Sequence, residues 1–356
     1  MPQVKPQDPN LLTKGNADRP DLKFYSPLEA PFKMYGLVYD DNRYLRMPKD
    51  IAESVSDGVR RLSQHTAGGR VCFKTNSPYV VISCKCYFYW ETVTMPLSAT
   101  NSFMLYIREG TEHICHGIFV PTSDERDEYI RLVELPNDGK EREIIIETPM
   151  YTGVSEFYIG LAESATLSEW SGFSYETPAV FYGSSITQGC GTSFMCNSYV
   201  NMLARYFDMN IINLGMAGHC KAEHNMIDYI ATLPMSMFVY DYDHNAPTPE
   251  FLRETHFSGY LRFREKCPDT PVIMATRPNV DGSKMAPESA ERKKIVLESY
   301  EKALALGDKN VSYVEAGDIY DRFCRSGFAN DNVHPNDLGF YFMAKAFAPY
   351  IKKYLK

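Results

Sequence analysis

Four short stretches of this chain hold side chains that could do chemistry together. Gly183-Ser184-Ser185-Ile186-Thr187 offers hydroxyls at the end of an apolar run, and Asn213-Leu214-Gly215-Met216-Ala217-Gly218 offers an amide and glycines. Asp241-Tyr242-Asp243-His244-Asn245 adds carboxylates, an imidazole and a second amide. Asp331-Asn332-Val333-His334-Pro335 places a carboxylate shortly ahead of an imidazole. Nucleophilic acyl transfer asks for such a set: a serine needs an adjacent base, the base an orienting group, and the oxyanion donors already in place. Alone, the first stretch reads equally well as a Gly/Ser-rich turn. The set gains meaning only if the fold brings the four stretches to one place.

The elements that would do so follow from the texture of the second half. Ala179-Val180-Phe181-Tyr182, introduced by Pro178, is apolar and uncharged, the pattern of a strand buried on both faces. Further strands are predicted at Ile211–Leu214, Met237–Tyr242, Val272–Thr276 and Val311–Glu315. Helical patterns alternate with them at Ser198–Phe207, Glu223–Thr232, Pro249–Lys266, Pro287–Leu306 and Asn336–Tyr354. That alternation implies a parallel sheet with helices on both faces, and such sheets bind ligands beyond the C-terminal ends of their strands. Each chemistry-bearing stretch lies at or after the end of a predicted strand, so all would reach one edge.

The first half has a different texture. From about Met34 to Leu161 it reads as β throughout, with runs at Tyr79–Trp90, Phe103–Ile107, Tyr129–Leu135, Glu143–Glu147 and Glu156–Ile159. Many short strands separated by turn signals imply a sandwich, jelly-roll-like. Tyr87, Tyr89 and Trp90 have two readings, core packing or stacking on a sugar, and core is the usual place for aromatics in a sandwich. Glu163–Thr177 is polar and marks a boundary, with Trp170 and Phe173 available to pack it down. The expected organisation is an all-β sandwich over residues 1–170 and an α/β/α unit with a five-stranded parallel sheet over 171–356.

Composition excludes several classes. The 356 residues are 44% hydrophobic and 23% charged, ordinary for a globular protein. A net charge of −8 argues against a nucleic-acid partner, which needs a concentrated basic face. Nine scattered cysteines suggest reduced thiols rather than a disulfide framework. His113-Ile114-Cys115-His116 has no second cluster at zinc spacing, so no metal is expected. The first residues lack a secretory apolar core, and no run nears the roughly 18 apolar residues of a membrane span. If Met1 is the native start, the expectation is a cytoplasmic protein with no membrane partner.

The four stretches, in order, resemble the sequence blocks of the SGNH (GDSL-like) hydrolases. That resemblance implies a flavodoxin-like catalytic domain without a cofactor. It makes Ser185 the nucleophile, His334 its base and Asp331 the partner of that base, with the amides of Ser185 and Gly218 and the side chain of Asn245 as oxyanion donors. Two positions depart from the family pattern: Ser184 stands where an Asp is usual, and Asp243 where a Gly is usual. Asp243 then either contacts a substrate hydroxyl or caps its loop. His244 and His219 either line the pocket or bond within their loops, and Arg277 either rims the substrate or joins a surface ion pair. Asp318 is a second candidate for orienting His334.

A β-sandwich ahead of such a domain resembles bacterial enzymes that remove acetyl or other short acyl groups from sugars. The Asn279–Pro287 stretch is polar apart from Met285, and no long apolar lid is evident. The expected partner is therefore a small-molecule or oligosaccharide ester. The alternatives are a lipase or thioesterase, and a catalytically weak carbohydrate-binding protein on the same fold. The sequence leaves the oligomeric state open.

Overall fold

The structure is a computed structural model that describes residues 17–90, 92–278, 288–314, 331 and 333–355. In the second half, Tyr175–Gly183, Met209–Gly215, Met237–Asp241, Val272–Ala275 and Val311–Val314 form one parallel sheet. Met209–Gly215 pairs on one side of Tyr175–Gly183 and the remaining strands follow in order on the other. The winding therefore reverses beside Tyr175–Gly183, and the crevice this opens lies beyond Gly183.

Period-2 alternation decides which layer each side chain joins. Val180 and Tyr182 pack with Leu214, Phe238 and Tyr240 under the helices His224–Ile230, Pro249–Lys266 and Glu288–Ala305. Ala179 and Phe181 pack with Ile211, Val239 and Ile273 under Tyr199–Tyr206 and Asp337–Tyr354. Pro249–Lys266 has the bounds predicted for it, because Thr248 accepts Phe251 N–H at 3.2 Å and Pro249 suits the first turn. Tyr175–Gly183 begins earlier than expected, as its first residues are polar and pair irregularly with Met209–Gly215. Tyr242 and Thr276 fall just outside their strands, and Glu315 lies outside the described residues.

The first half contains the expected sandwich, as two antiparallel sheets of six strands among the described residues. One sheet centres on Tyr79–Tyr89 and Thr152–Ala162, the other on Arg70–Thr75, Arg142–Glu147 and Phe103–Glu109. Phe73, Val80, Ile82, Phe103, Ile144 and Phe157 fill the space between them. This half is β apart from helices of under three turns. Helices Lys49–Val55 and Asp57–Leu62 interrupt it, with Ser56 closing the first and capping the second by accepting Val59 N–H at 3.2 Å. Both are under two turns, too short to show a helical period. Met47, Ala52, Val59 and Leu62 pack not in the sandwich but beside Met216, Ala222 and Met226. A piece of the first half is thus built into the core of the second.

A buried polar clamp joins the halves elsewhere. The Asp208 carboxylate, shut from solvent, accepts from His113 Nε2 at 2.6 Å, Arg108 Nε at 3.0 Å, and the Ser174 N–H and hydroxyl at 2.9 and 2.6 Å. Arg108 also reaches Glu143 at 2.7 Å. His113 is therefore a hydrogen-bond partner of Asp208, its imidazole held below the ordinary value by burial, while His116 Nε2 lies 2.9 Å from the Glu134 carbonyl. Trp170 and Phe173 meet edge to face at 5.4 Å, under the guanidinium groups of Arg108 and Arg70 respectively. The polar stretch after the sandwich is packed down by these contacts. Every cysteine among the described residues is free, and no helix among them is long and apolar enough to cross a membrane.

Removing one partner of a buried ionic network leaves the others uncompensated. Asp208→Ala is expected to cost about 3–5 kcal/mol, read as a lower urea midpoint. A midpoint equal to that of the wild type would show the clamp to be dispensable.

Candidate active site

Gly183 ends its strand and the chain turns at once into the short helix Ser185–Gln188. A Cβ on Gly183 would stand 2.0 Å from Thr187 Oγ1 and 2.4 Å from the Asp241 carbonyl oxygen, so only glycine permits the turn. Ser184 caps the helix, its Oγ accepting Ile186 N–H at 3.1 Å. The serine at this departure from the family pattern thus supplies the local hydrogen bond of the turn.

Ser185 Oγ lies 2.7 Å from His334 Nε2, and His334 Nδ1 lies 2.5 Å from Asp331 Oδ2. Asp331 Oδ1 accepts the backbone N–H groups of Val333 and His334 at 2.9 and 3.0 Å. Burial would raise the Asp331 carboxyl, but the bonds from His334 and these amides hold it below the usual carboxylate range. Behind the imidazole, Gly191 (φ 106°) passes so close that a Cβ would sit 2.2 Å from the Pro335 carbonyl oxygen. Asp337, at the start of the last helix, accepts from Ser193 N–H at 3.2 Å and Asn197 Nδ2 at 2.7 Å. The loops that hold Ser185 and His334 are stitched together by these contacts. Asn332 and Asp318 lie outside the described residues.

Two further donors stand on neighbouring loops. Gly218 (φ 75°) is exposed on the loop after Met209–Gly215. Asn213 shapes that loop, accepting Gly215 N–H at 2.9 Å and donating to the Thr187 carbonyl at 3.0 Å. Asn245 closes the turn Asp243–Asn245, and its Oδ1 accepts Cys220 N–H at 3.4 Å, leaving the Nδ2 hydrogens for another acceptor. The Cys220–Asn245 bond draws the Gly218 loop and Asn245 together.

The remaining candidates are held by the protein itself. Asp243 is buried, and its Oδ2 accepts Arg277 N–H at 3.2 Å. Of its two readings, this bond favours the loop-holding one, although Oδ1 has no partner among the described residues. Arg277 is partly exposed and sends its guanidinium to Ser289 Oγ at 2.6 Å. Burial, then Arg277 and His334, hold the His244 imidazole down to about 3, so it is neutral. His219 lies against Gly58, where a Cβ would approach its Nδ1 to 2.0 Å.

Several residues that brace the site come from the first half and were missed in the sequence. Arg46 is fully enclosed, with Nη1 donating to the Gly215 carbonyl at 2.5 Å and Nη2 to that of Leu62 at 2.6 Å. Burial brings its guanidinium down to about 10, still charged at neutral pH. Tyr151 donates its hydroxyl to the Ser185 carbonyl at 3.2 Å. Gln188 Nε2 bonds His65 Nδ1 at 3.0 Å and the Met150 carbonyl at 3.2 Å. The only trace of these roles in the sequence is a lone arginine among apolar neighbours, Leu45-Arg46-Met47.

Comparison with known proteins adds to this geometry. Residues 176–352 match the model of the GDSL-like lipase/acylhydrolase family, and residues 22–167 match that of the N-terminus of SGNH-hydrolase-type esterases. No curated protein sequence matches the chain. Among solved structures, a GDSL-like lipase from Bacteroides ovatus is similar with 23% identity and a TM-score of 0.83, over 94% of this chain and 98% of that one. A salicylyl-acyltransferase from a tetracycline biosynthetic pathway is similar with 18% identity and a TM-score of 0.76, over 94% and 98%. An acetyl xylan esterase from the rumen bacterium Butyrivibrio proteoclasticus is similar with 11% identity and a TM-score of 0.61, over 93% and 98%. At these identities the likeness is one of fold.

The buried carboxylates beside the site make a pH dependence. Asp241 Oδ2 accepts from Thr187 Oγ1 at 3.0 Å and the Tyr199 hydroxyl at 2.9 Å. Burial, then the charge of Asp243, pushes Asp241 up to about 8, and burial pushes Asp243 up to about 6. An unfolded Asp titrates near about 3.9, so the folded chain holds both protons more tightly. The stability this gives is whole below that value and is lost as pH rises through the folded values. The melting temperature is expected to fall between about pH 4 and 8, and Asp241→Asn to flatten the upper part of the fall. An unchanged slope in Asp241→Asn, followed by differential scanning fluorimetry, would contradict the assignment.

Proposed function

Because the chain belongs to the GDSL-like lipase/acylhydrolase family, we propose that it is a serine esterase with Ser185 as nucleophile, His334 as general base and Asp331 as the group that orients it. The observation that supports this most is the unbroken run Ser185 Oγ, His334 Nε2, His334 Nδ1, Asp331 Oδ2, with contacts of 2.7 and 2.5 Å.

In this reading His334 Nε2 takes the hydroxyl proton as Ser185 Oγ attacks the ester carbonyl. Asp331 accepts from Nδ1, which fixes the tautomer and stabilises the imidazolium. The oxyanion is met by the amides of Ser185 and Gly218 and by Nδ2 of Asn245. His334 returns the proton to the departing alcohol, and the acyl group stays on Ser185. Water, giving a proton to Nε2, then attacks the acyl carbon; the bond from that carbon to Ser185 Oγ breaks, His334 passes the proton to Oγ, and the carboxylic acid leaves.

The proposed substrate is a short acyl ester, acetyl first, of a sugar or oligosaccharide. Two features support it. The partly exposed side chains near this turn, His244, Asn245 and Arg277, are polar and would not welcome a long alkyl chain. The sandwich and hydrolase-like units also occur together in solved carbohydrate esterases of similar fold.

Ser185→Ala should reduce hydrolysis of p-nitrophenyl acetate to the buffer rate. Asn245→Ala should lower kcat by about 10²–10³. Across a series of p-nitrophenyl esters, rates should fall as the acyl chain lengthens. Undiminished turnover in Ser185→Ala would remove the nucleophile assignment, and rates that rise with chain length would turn the reading toward a lipase or thioesterase.

A further inference from the structure

Asn245 does not hold its own side chain in place. Among the described residues that side chain makes one bond, in which Oδ1 accepts Cys220 N–H at 3.4 Å. Such a bond is longer than the usual range of about 2.7–3.2 Å. An oxyanion donor acts at full strength only within about 2.7–3.1 Å of the developing charge. The backbone must therefore aim Nδ2, and that backbone is the three-residue turn Asp243–Asn245. Asn245 N–H donates to the Tyr242 carbonyl at 3.0 Å, and no side chain caps the turn. A turn this short leaves its carbonyls without helical partners.

A single guanidinium collects them. Arg292 is 7% exposed, and its Nη1 donates to the Asp243 and Ala246 carbonyls at 2.9 and 2.8 Å. Its Nη2 donates to the Pro247 carbonyl at 3.4 Å and to Glu288 Oε2 at 3.2 Å. The three carbonyls bracket Asn245 on both sides in sequence. Arginine suits this task because its donors leave a rigid plane in fixed directions. The helix that carries it, Glu288–Ala305, is seated by Ile295 and Val296, which are buried in one core layer with Phe238 and Val272. The same helix reaches the turn by a second route. Asp243 Oδ2 accepts Arg277 N–H at 3.2 Å, and Arg277 Nη2 donates to Ser289 Oγ at 2.6 Å.

A guanidinium that only satisfied buried carbonyls would matter to stability alone. Here the carbonyls belong to the segment that presents a candidate oxyanion donor, so loosening them moves that donor. A displacement of about 1 Å from productive geometry can cost about 100-fold in rate.

We propose that Arg292 is a positioning residue for the oxyanion site: it sets the turn that aims Asn245 Nδ2, and so acts on turnover rather than on substrate affinity. This rests on the esterase reading. A double-mutant cycle in the full chain tests it, with p-nitrophenyl acetate hydrolysis followed at a temperature where circular dichroism shows each variant folded. Arg292→Met should lower kcat about 10–100-fold, no further than Asn245→Ala does, with KM changed less than about 2-fold. Arg292→Lys offers one nitrogen where three carbonyls are now served, and should lower kcat by less. Where Arg292→Met does not fold, the conservative variant decides. In a chain that already carries Asn245→Ala, either substitution should cost less than about 2-fold more, because the group it aims is gone. Losses that multiply in the double variants, an unchanged kcat in the single ones, or a loss confined to KM would overturn the positioning role while leaving the esterase reading standing. A wild type that hydrolyses no ester would sink the esterase reading and the positioning role with it.

Discussion

One hydrogen bond sets the terms for the rest of the molecule: Ser185 Oγ to His334 Nε2, 2.7 Å long, between residues 149 apart in sequence. A contact that short cannot be held by its own strength, since a single hydrogen bond contributes only about 1 kcal/mol net. It has to be over-determined by its surroundings. The nucleophile's backbone is fixed by the capped turn at Ser184 and by the close passage at Gly183. The base is fixed by Asp331 on one side and by the Gly191 contact with Pro335 behind it.

The sandwich contributes to the same end, which gives it a physical role beside any ligand it holds. Arg46 satisfies carbonyls of the Asn213–Gly218 loop from beneath, and Tyr151, His65 and Gln188 connect the sandwich to the Ser185 helix. A fully enclosed guanidinium is costly unless its donors are matched by acceptors. Its placement under the Gly215 carbonyl ties the position of that loop to the docking of the two halves. On the far side, Arg292 donates to the carbonyls of Asp243 and Ala246 at 2.9 and 2.8 Å and shapes the turn that presents Asn245. Arginine pins backbone carbonyls on both flanks of the candidate oxyanion site.

Much of this was legible where the chain repeats a local pattern. Val180, Phe181 and Tyr182 read as a buried strand because both faces are covered, and Pro249–Lys266 read to its ends because Thr248 and Pro249 mark its start. The four chemistry-bearing stretches were legible through their residue types and order. Helices Lys49–Val55 and Asp57–Leu62 were not, because neither completes two turns. Nor was the pairing of His113, on strand Glu112–Phe119, with Asp208. Arg46, Tyr151 and Asp208 act across more than 90 residues of sequence or against backbone atoms, and such contacts leave no local periodicity to read.

The most direct measurement of the central claim is covalent. Incubation with a phosphonofluoridate, whose phosphorus is attacked by an activated serine oxygen with loss of fluoride, should label the chain once. Peptide mass spectrometry should place the label on Ser185, and His334→Ala should prevent it. A label on another serine, or equal labelling without His334, would contradict the proposed roles of both residues.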